Sequence, residues 1–330
     1  MSPHEQEPGY ESWPAIDELF PVAFQGVNHN RGIEYTVIDY DRKTLADRLK
    51  AYIEAATYPD AAALAPAMAA DFAGYEPKNV WEKLHGDGFD QSKIMPFLTF
   101  PLDQRWIYYE TEGKLLNRSR PEFGLNLSSN EFLVTVPEPR KVSETRPLYA
   151  TTLVNLHVHE RGSVVIPRET RGADLLGDRD ANLPEATWRV LRSHLGLSGE
   201  RRDDDALRLA GRLLRVALAL LHAPAYQADH KSALAADWAH LPVPNDVELF
   251  GRVAEAGDLV ARLLDAHVDA RDLIIEVLGE ERAALLAQLT REGGGAIQPQ
   301  DLLVSVNYWG GAKGRWRRRP FTAEEEALPL

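Results

Sequence analysis

Aromatic and arginine side chains alternate along the strand-like stretch from residue 97 to residue 121. It reads FLTFPLDQRWIYYE from Phe97 to Glu110 and KLLNRSRP from Lys114 to Pro121. Aromatic and β-branched residues favour strands, so the pattern predicts a sheet that holds rings and guanidinium groups at fixed spacing. Such groups stack on bases and bind phosphates or guanine edges. The same rings also suit a sheet core, so simple packing is an open alternative.

The composition excludes several classes of protein. The 330-residue chain is 44% hydrophobic and has no cysteine, which rules out disulfides, cysteine-ligated zinc and a cysteine nucleophile. No apolar run approaches the roughly 20 residues of a membrane-spanning helix. The acidic, polar N-terminus does not fit a secretory signal. We therefore expect a cytoplasmic protein with no membrane partner.

The charge distribution distinguishes residues 101–171 from the rest of the chain. The net charge is −13, which argues against a surface that is positive everywhere. Between Pro101 and Arg171, however, ten basic side chains face nine acidic ones. The excess of acid therefore lies outside this stretch, and a local basic cleft is compatible with the composition.

Hydrophobic periodicity predicts an α+β fold, with a mixed β-sheet recognition platform and a helical subdomain. Predicted strands cover residues 33–39, 94–110, 131–136, 151–167, the last as a hairpin turning at 160–162, and 301–308. Predicted helices cover residues 42–56 after an Asp41 N-cap, 59–72 with a break at Pro66, 207–222, 246–264 and 272–290. Residues 168–184 have the composition of a loop or linker.

Five regions follow from this pattern. They are a flexible tail (1–12), a mixed N-terminal docking segment (13–90), the β-rich recognition platform (91–175), the helical subdomain (176–293), and a segment in which a strand returns to the sheet and a basic C-terminal stretch follows (294–330).

Five separated segments carry a family resemblance. They are WPAIDELFPVAFQGVNHNR from Trp13, PLDQRWIY from Pro101, LLNRSRPE from Leu115, LALLHAPAY from Leu218 and LPVP from Leu241. In this order they resemble the C-terminal target-recognition, or specificity, region of type ISP single-polypeptide restriction-modification enzymes. The resemblance extends from about Trp13 to Trp309.

The resemblance implies a DNA target-recognition module of a restriction-modification or phage-defence system. Its partners would be double-stranded DNA and an N6-adenine methyltransferase for which it positions the DNA. The chain lacks a Gly-rich S-adenosylmethionine loop, an Asn-Pro-Pro-Tyr-type loop and a phosphate-binding ATPase loop. We therefore expect no catalysis by this chain alone, and no cofactor.

Twelve residues are predicted to contact DNA. They are Arg105, Lys114, Arg118 and Arg120 on the platform, Arg140, Lys141 and Arg161 as phosphate contacts, and Lys313, Arg315, Trp316, Arg317 and Arg318 in the basic C-terminal cluster. Because the segment from Trp13 follows the methyltransferase in the resembled enzymes, Trp13, Phe20, Phe24 and Arg31 are predicted to dock onto that partner.

Two other functions stay open at this point. An interaction subunit of a defence complex without DNA contacts would fit the net negative charge. A magnesium-dependent nuclease could use Asp103, Glu112 and Lys114, since two carboxylates and a lysine are its minimal set, but the short spacing makes this a weak signal. His157 and His159 would share one face of a strand, yet two imidazoles without a third ligand do not make a metal site.

Overall fold

The computed structural model describes residues 9–29, 36–70, 74–137, 146–159, 162–171, 179–192 and 200–265, short pieces at 275–276 and 279–280, and two strands at 306–310 and 316–320. The chain divides into two compact units. One contains Met1–Arg31 and Tyr35–Val268, and the other contains Gly32–Glu34 and Asp269–Leu330. The predicted α+β class is confirmed. The five regional boundaries drawn from the sequence stay predictions.

The described helices are α1 (Ile16–Leu19), α2 (Arg42–Ile53), α3 (Tyr58–Leu64), α4 (Pro77–Asp87), α5 (Pro121–Leu125), α6 (Glu185–Leu191), α7 (Asp203–His222), α8 (Pro224–Asp229), α9 (Lys231–Leu234) and α10 (Val247–Leu264). The strands are β1 (Phe24–Gln25), β2 (Ile38–Asp39), β3 (Ile94–Phe100), β4 (Asp103–Tyr108), β5 (Phe132–Thr135), β6 (Leu148–Ala150), β7 (Leu153–Val154), β8 (Val164–Pro167), β9 (Glu169–Arg171), β10 (Arg179–Ala181), β11 (Val306–Gly310) and β12 (Trp316–Pro320). None of the helices described has the length and apolar character needed to cross a membrane.

The first four-stranded sheet has the order β2-β4-β3-β7. Its centre is the antiparallel β3–β4 pair, and β7 runs parallel to β3. Helix α2 packs beside β2 and β4. It begins where the sequence predicted, because the Asp41 carboxylate accepts a hydrogen bond from the Thr44 amide at 2.7 Å. Its buried side chains fall at helical spacing, at Leu45, Leu49 and Tyr52.

The second sheet, ordered β1-β8-β5-β6, is antiparallel and lies between two hydrophobic cores. Alternate residues of a strand point to opposite faces. Accordingly, Phe132 and Val134 of β5 belong to the core of the first sheet, whereas Leu133 belongs to the core around α7. Burial of both faces explains why β5 reads as a continuous run of β-favouring residues.

Gly26 carries the chain from the second sheet to the first. It follows β1 directly, and its amide donates to the Ser163 carbonyl at 3.1 Å. The next residue, Val27, bridges to Asn155 just beyond β7. A Cβ at Gly26 would lie 2.6 Å from the backbone nitrogen of Leu156, so this crossing requires glycine.

The helical layer is built on α7 and α10, as the periodicity predicted. Asp203, Asp204 and Asp205 occupy the first turn of α7, where negative charge stabilises the helix N-terminus. Asp246 caps α10 by accepting from the Leu249 amide at 2.7 Å. The predicted third helix, residues 272–290, lies almost entirely outside the described residues.

Two sequence expectations were wrong. Residues 151–167 do not form a hairpin, because β7 pairs with β3 and β8 pairs with β1 and β5. The predicted linker at 168–184 contains the paired strands β9 and β10, which place Glu169 in a fully buried position. β11, which overlaps the strand expected at residues 301–308, pairs with β12, and its return to the sheet stays a prediction. Pairing of β7 and β8 with strands distant in the sequence decided the first case, and local sequence does not encode it.

Candidate nucleic-acid interface

The first part of the aromatic and arginine-rich stretch forms the β3–β4 hairpin. Phe97 lies opposite Arg105, and Phe100 lies opposite Asp103 at the closing turn. Phe97 is fully buried, whereas Phe100 is 40% exposed. The hairpin therefore has a base embedded in the core and a tip that projects from it.

Arg105 is held inside the protein. Its Nε and Nη2 atoms donate to the two carboxylate oxygens of Asp103 at 3.1 and 2.8 Å, and its guanidinium stacks over the Tyr40 ring at 4.0 Å. Only 6% of Arg105 is exposed. A two-pronged ion pair of this kind fixes the guanidinium. The geometry therefore argues against the predicted direct DNA contact and gives Arg105 a structural role in the hairpin.

Three exposed residues that sequence reasoning missed lie around the same hairpin. Tyr40, which follows β2, is 61% exposed, and Leu102 at the hairpin turn is 64% exposed. Arg42, in the first turn of α2, places its guanidinium 5.3 Å from the centroid of the Trp106 ring. For Tyr40 and Arg42 the sequence contained a signal, the aromatic–basic pattern of residues 40–43. It was overlooked because Asp41 was interpreted only as a helix cap.

Arg118 and Arg120 lie on the opposite edge of the first sheet. The Asn28 and Arg118 backbones exchange hydrogen bonds at 3.0 and 2.9 Å, and the Arg118 side chain is exposed. Arg120 is partly buried, donates to the Gln25 side chain, and accepts at its carbonyl from the Tyr109 hydroxyl at 2.7 Å. The structure thus leaves the Arg118 guanidinium at the surface and uses that of Arg120 to join α5 to β1.

A continuous row of backbone pairing connects the two edges. It runs from β4 through β3 and β7 to Val27 and Asn28, and ends at Arg118. Lys114 is exposed in the connection that follows β4, with a φ of 62°. Arg42 lies beside β4 and Arg118 pairs with Asn28 beyond β7, so β3 and β7 lie between them in the pairing order.

Other basic residues, next to the second sheet, stabilise the fold. Arg168 and Arg215 both pair with Glu131, and Arg168 and Arg179 both pair with Glu169. Glu131 also accepts from the Tyr149 hydroxyl at 3.0 Å. This buried network joins the second sheet to α7. Sequence charge counts cannot separate such paired arginines from exposed ones.

Several predicted DNA contacts lie outside the described residues, namely Arg140, Lys141, Arg161, Lys313 and Arg315. For Trp316, Arg317 and Arg318 the structure gives the backbone of β12, in which they lie opposite Gly310, Trp309 and Tyr308. Their contribution to DNA binding stays a prediction.

The predicted docking residues have different environments. Phe20 is 1% exposed and belongs to the core around α7, so it is not available to a partner. Phe24 is half-buried and stacks on Phe123 with centroids 6.1 Å apart. Trp13 is also half-buried and lines a cavity of about 470 Å³ together with Val190 and Pro242. Arg31 lies outside the described residues.

The nuclease arrangement is not supported by this geometry. The Asp103 carboxylate forms an ion pair with Arg105, and the Glu112 carboxylate lies 3.5 Å from the Lys83 ammonium group. Among the residues that the structure describes, no three His, Asp or Glu side chains come close enough together to hold a metal ion.

The two histidines also differ from expectation. His157 and His159 lie in a turn after β7, the first exposed and the second buried, so they do not share a strand face.

Comparison with known proteins identifies the family. A family model described as "Type ISP C-terminal specificity domain" matches residues 18–283. This chain belongs to that family. The resemblance found in the sequence is thereby confirmed, and the platform is part of a type ISP specificity domain. Among curated proteins, no sequence matches the chain.

Two solved structures share the fold of this type ISP specificity domain. One is described as a cryoEM structure of a DrdV–DNA complex, with a TM-score of 0.53 and 19% sequence identity over 80% of this chain and 25% of that one. The other is described as the ATP-dependent type ISP restriction-modification enzyme LlaBIII bound to DNA, with a TM-score of 0.53 and 13% identity over 79% of this chain and 17% of that one. The chain thus spans a quarter or less of these proteins. At such low identity the likeness establishes the fold alone.

Proposed function

We propose that this chain is a DNA target-recognition module that holds duplex DNA on its first sheet and positions it for a separate N6-adenine methyltransferase. The observation that carries the proposal is family membership over residues 18–283, and the descriptions of DrdV and LlaBIII as DNA complexes support it. The geometry of the platform adds exposed cations at both edges and a projecting hairpin between them.

The residues divide into two roles. Arg118 and Arg42 are exposed cations with β3 and β7 between them in the pairing order, and they fit phosphate contacts that fix the register of the duplex. Lys114, also exposed, lies in the connection between β4 and Arg118. Base reading falls to the hairpin, since a two-stranded ribbon fits the major groove, which is about 12 Å wide. Arg105 contributes by keeping the hairpin rigid.

The net charge of −13 is compatible with this role. Electrostatic attraction to phosphates depends on the local potential within about a Debye length, roughly 8 Å at physiological ionic strength. Acidic residues distributed over the remaining surface would disfavour non-specific wrapping and leave binding dependent on the platform. Specificity then requires the correct base sequence in addition to the phosphate contacts.

The chemistry belongs, in this proposal, to another polypeptide segment. This chain provides a surface, and the methyltransferase provides the S-adenosylmethionine site and the pocket for the target adenine. The half-buried Trp13 and its 470 Å³ cavity are our candidates for contact with that partner. Phe20 is removed from the candidate set because it is buried in the core.

Binding of a random duplex pool at two salt concentrations tests the proposal. Fluorescence anisotropy with the full chain should show affinity that weakens steeply between about 50 and 200 mM salt, with a slope near −0.9 per phosphate contact. Selection from the same pool should then enrich one sequence. If no duplex binds at the lower salt concentration, a protein-interaction role without DNA contacts is favoured instead.

A further inference from the structure

The turn that joins β3 to β4 contains an unfavourable residue. Pro101 and Leu102 are its central positions, between the paired residues Phe100 and Asp103. Leu102 has a φ of 64°, which lies in the left-handed region. A turn with proline at the first central position and positive φ at the second favours glycine or asparagine there. A leucine is strained at this position.

Packing of the Leu102 side chain offsets little of this strain. It is 64% exposed, and its neighbour Phe100 is 40% exposed. Neither belongs to either hydrophobic core. Below them the hairpin is fixed by the Asp103–Arg105 pair and by the fully buried Phe97. A rigid hairpin thus presents a small apolar tip to solvent, and glycine at residue 102 would remove both the strain and the exposed side chain of Leu102.

We propose that Leu102, assisted by Phe100, contacts thymine 5-methyl groups in the major groove and so determines part of the sequence specificity. This inference rests on the proposed function. The 5-methyl group of thymine is the apolar feature of the major groove, and side-chain carbon atoms recognise it by direct contact. The exposed Arg42, whose guanidinium lies over the Trp106 ring, flanks the hairpin on α2, where it fits a phosphate bordering the groove.

The test combines a protein substitution with a DNA substitution. The wild-type chain first selects a binding sequence from a random duplex pool. The duplex is then prepared with uracil replacing thymine, which removes the 5-methyl group alone. Wild type should lose about fourfold in affinity for each methyl contact, the value for burying one methylene-sized group. Leu102→Gly should bind the thymine duplex more weakly and should lose less affinity than wild type when uracil replaces thymine.

Stability measurements complete the test. Leu102→Gly should unfold at the same or a higher denaturant concentration than wild type, because it relieves the positive φ. Leu64, which is 59% exposed at the end of α3, provides the matched control: Leu64→Ala also removes an exposed leucine but should retain wild-type affinity and the full response to uracil.

Three outcomes would overturn the inference. Leu102→Gly could keep the full thymine preference, or it could lower the stability of the fold, which would give the side chain a structural role. In the third outcome, Leu102→Gly binds more weakly, wild type does not respond to uracil, and 2-aminopurine in the duplex becomes more fluorescent when wild type binds. That result would indicate that the side chain inserts between bases. Failure of wild type to bind any duplex would contradict the proposed function itself and is distinguishable from all three.

Discussion

Asp103 and Arg105 form a two-pronged ion pair across two residues of one strand, with donor–acceptor distances of 3.1 and 2.8 Å. The guanidinium also stacks on Tyr40, the residue that follows β2. The pair therefore connects the hairpin to the neighbouring strand and restricts its motion. Arg105, which the sequence pattern assigned to DNA contact, is engaged within the element that carries the exposed tip.

Arg105→Ala should destabilise the chain by about 2 kcal/mol, because it removes the stacking on Tyr40 and leaves a partly buried carboxylate without its partner. Urea denaturation followed by circular dichroism measures this. Asp103→Asn, which keeps the shape of the side chain, should cost less. Equal stability of Arg105→Ala and wild type would contradict the structural role and restore Arg105 as a candidate DNA contact.

Arg118→Ala should weaken DNA binding and leave the stability of the fold nearly unchanged. Its guanidinium is exposed, so the free energy of unfolding should change by less than about 0.5 kcal/mol. DNA affinity should fall uniformly across sequences, and the slope of log K against log salt should decrease in magnitude by about 1. Arg189→Ala, at an exposed site on α6 paired with Glu185, is the control expected to change neither quantity. An unchanged salt slope for Arg118→Ala would remove this residue from the phosphate contacts.

Glu131→Gln should be strongly destabilising. The carboxylate accepts from Arg168, Arg215 and Tyr149, and replacing it with a neutral amide leaves two guanidiniums under-compensated in a buried network. We expect a loss of about 3 kcal/mol in unfolding free energy. Asp258→Asn, at the exposed end of the Arg215 pair, should cost less than about 1 kcal/mol. Similar losses for the two variants would contradict the central position of Glu131.

Gly257→Ala should disrupt the contact between α7 and α10. A methyl group at Gly257 would overlap the backbone carbonyl of Arg215, so we expect a loss of about 3 kcal/mol even though alanine is the better helix former by about 1 kcal/mol. Gly251→Ala on the same helix is the matched control. Its methyl would meet only the flexible end of Arg212, at 3.2 Å. Thermal unfolding of the two variants should therefore differ clearly.

His222 should make stability depend on pH. Burial lowers the pKa of His222, and nearby Arg146 lowers it further, against the opposing effect of the 2.8 Å hydrogen bond to the Pro147 carbonyl. The unfolded chain then binds the proton more readily than the folded chain, so stability falls as the pH drops from the unfolded value of about 6.5 towards the lower folded one. His222→Gln, which can still donate to Pro147, should lose this part of the slope in denaturation curves collected between pH 8 and 5. His157→Gln at an exposed site should retain it.

Local signals in the sequence were sufficient for helices α2, α7 and α10, whereas α4 and the strands β9 and β10 were not predicted. Asp41 caps its helix as expected, and Asp246 caps α10 in the same way, because capping depends on residues three positions apart. The burial of Leu45 and Leu49 follows from helical periodicity. By contrast, the partners of β7 and β8 were wrong, since strand pairing over long separations depends on packing that no local pattern specifies.

The sequence by itself determined the α+β class, the main helices, the resemblance to type ISP specificity domains and the hairpin rich in aromatic and basic residues. Only the tertiary structure decided which of its charged groups are exposed. Arg105 and Arg168 are neutralised by carboxylates that folding brings next to them, whereas Arg118 remains at the surface and Leu102 projects from a strained turn. The reason is physical: an arginine binds a nearby carboxylate or an incoming phosphate with the same fork of donors, and the three-dimensional neighbourhood determines which of the two is within reach.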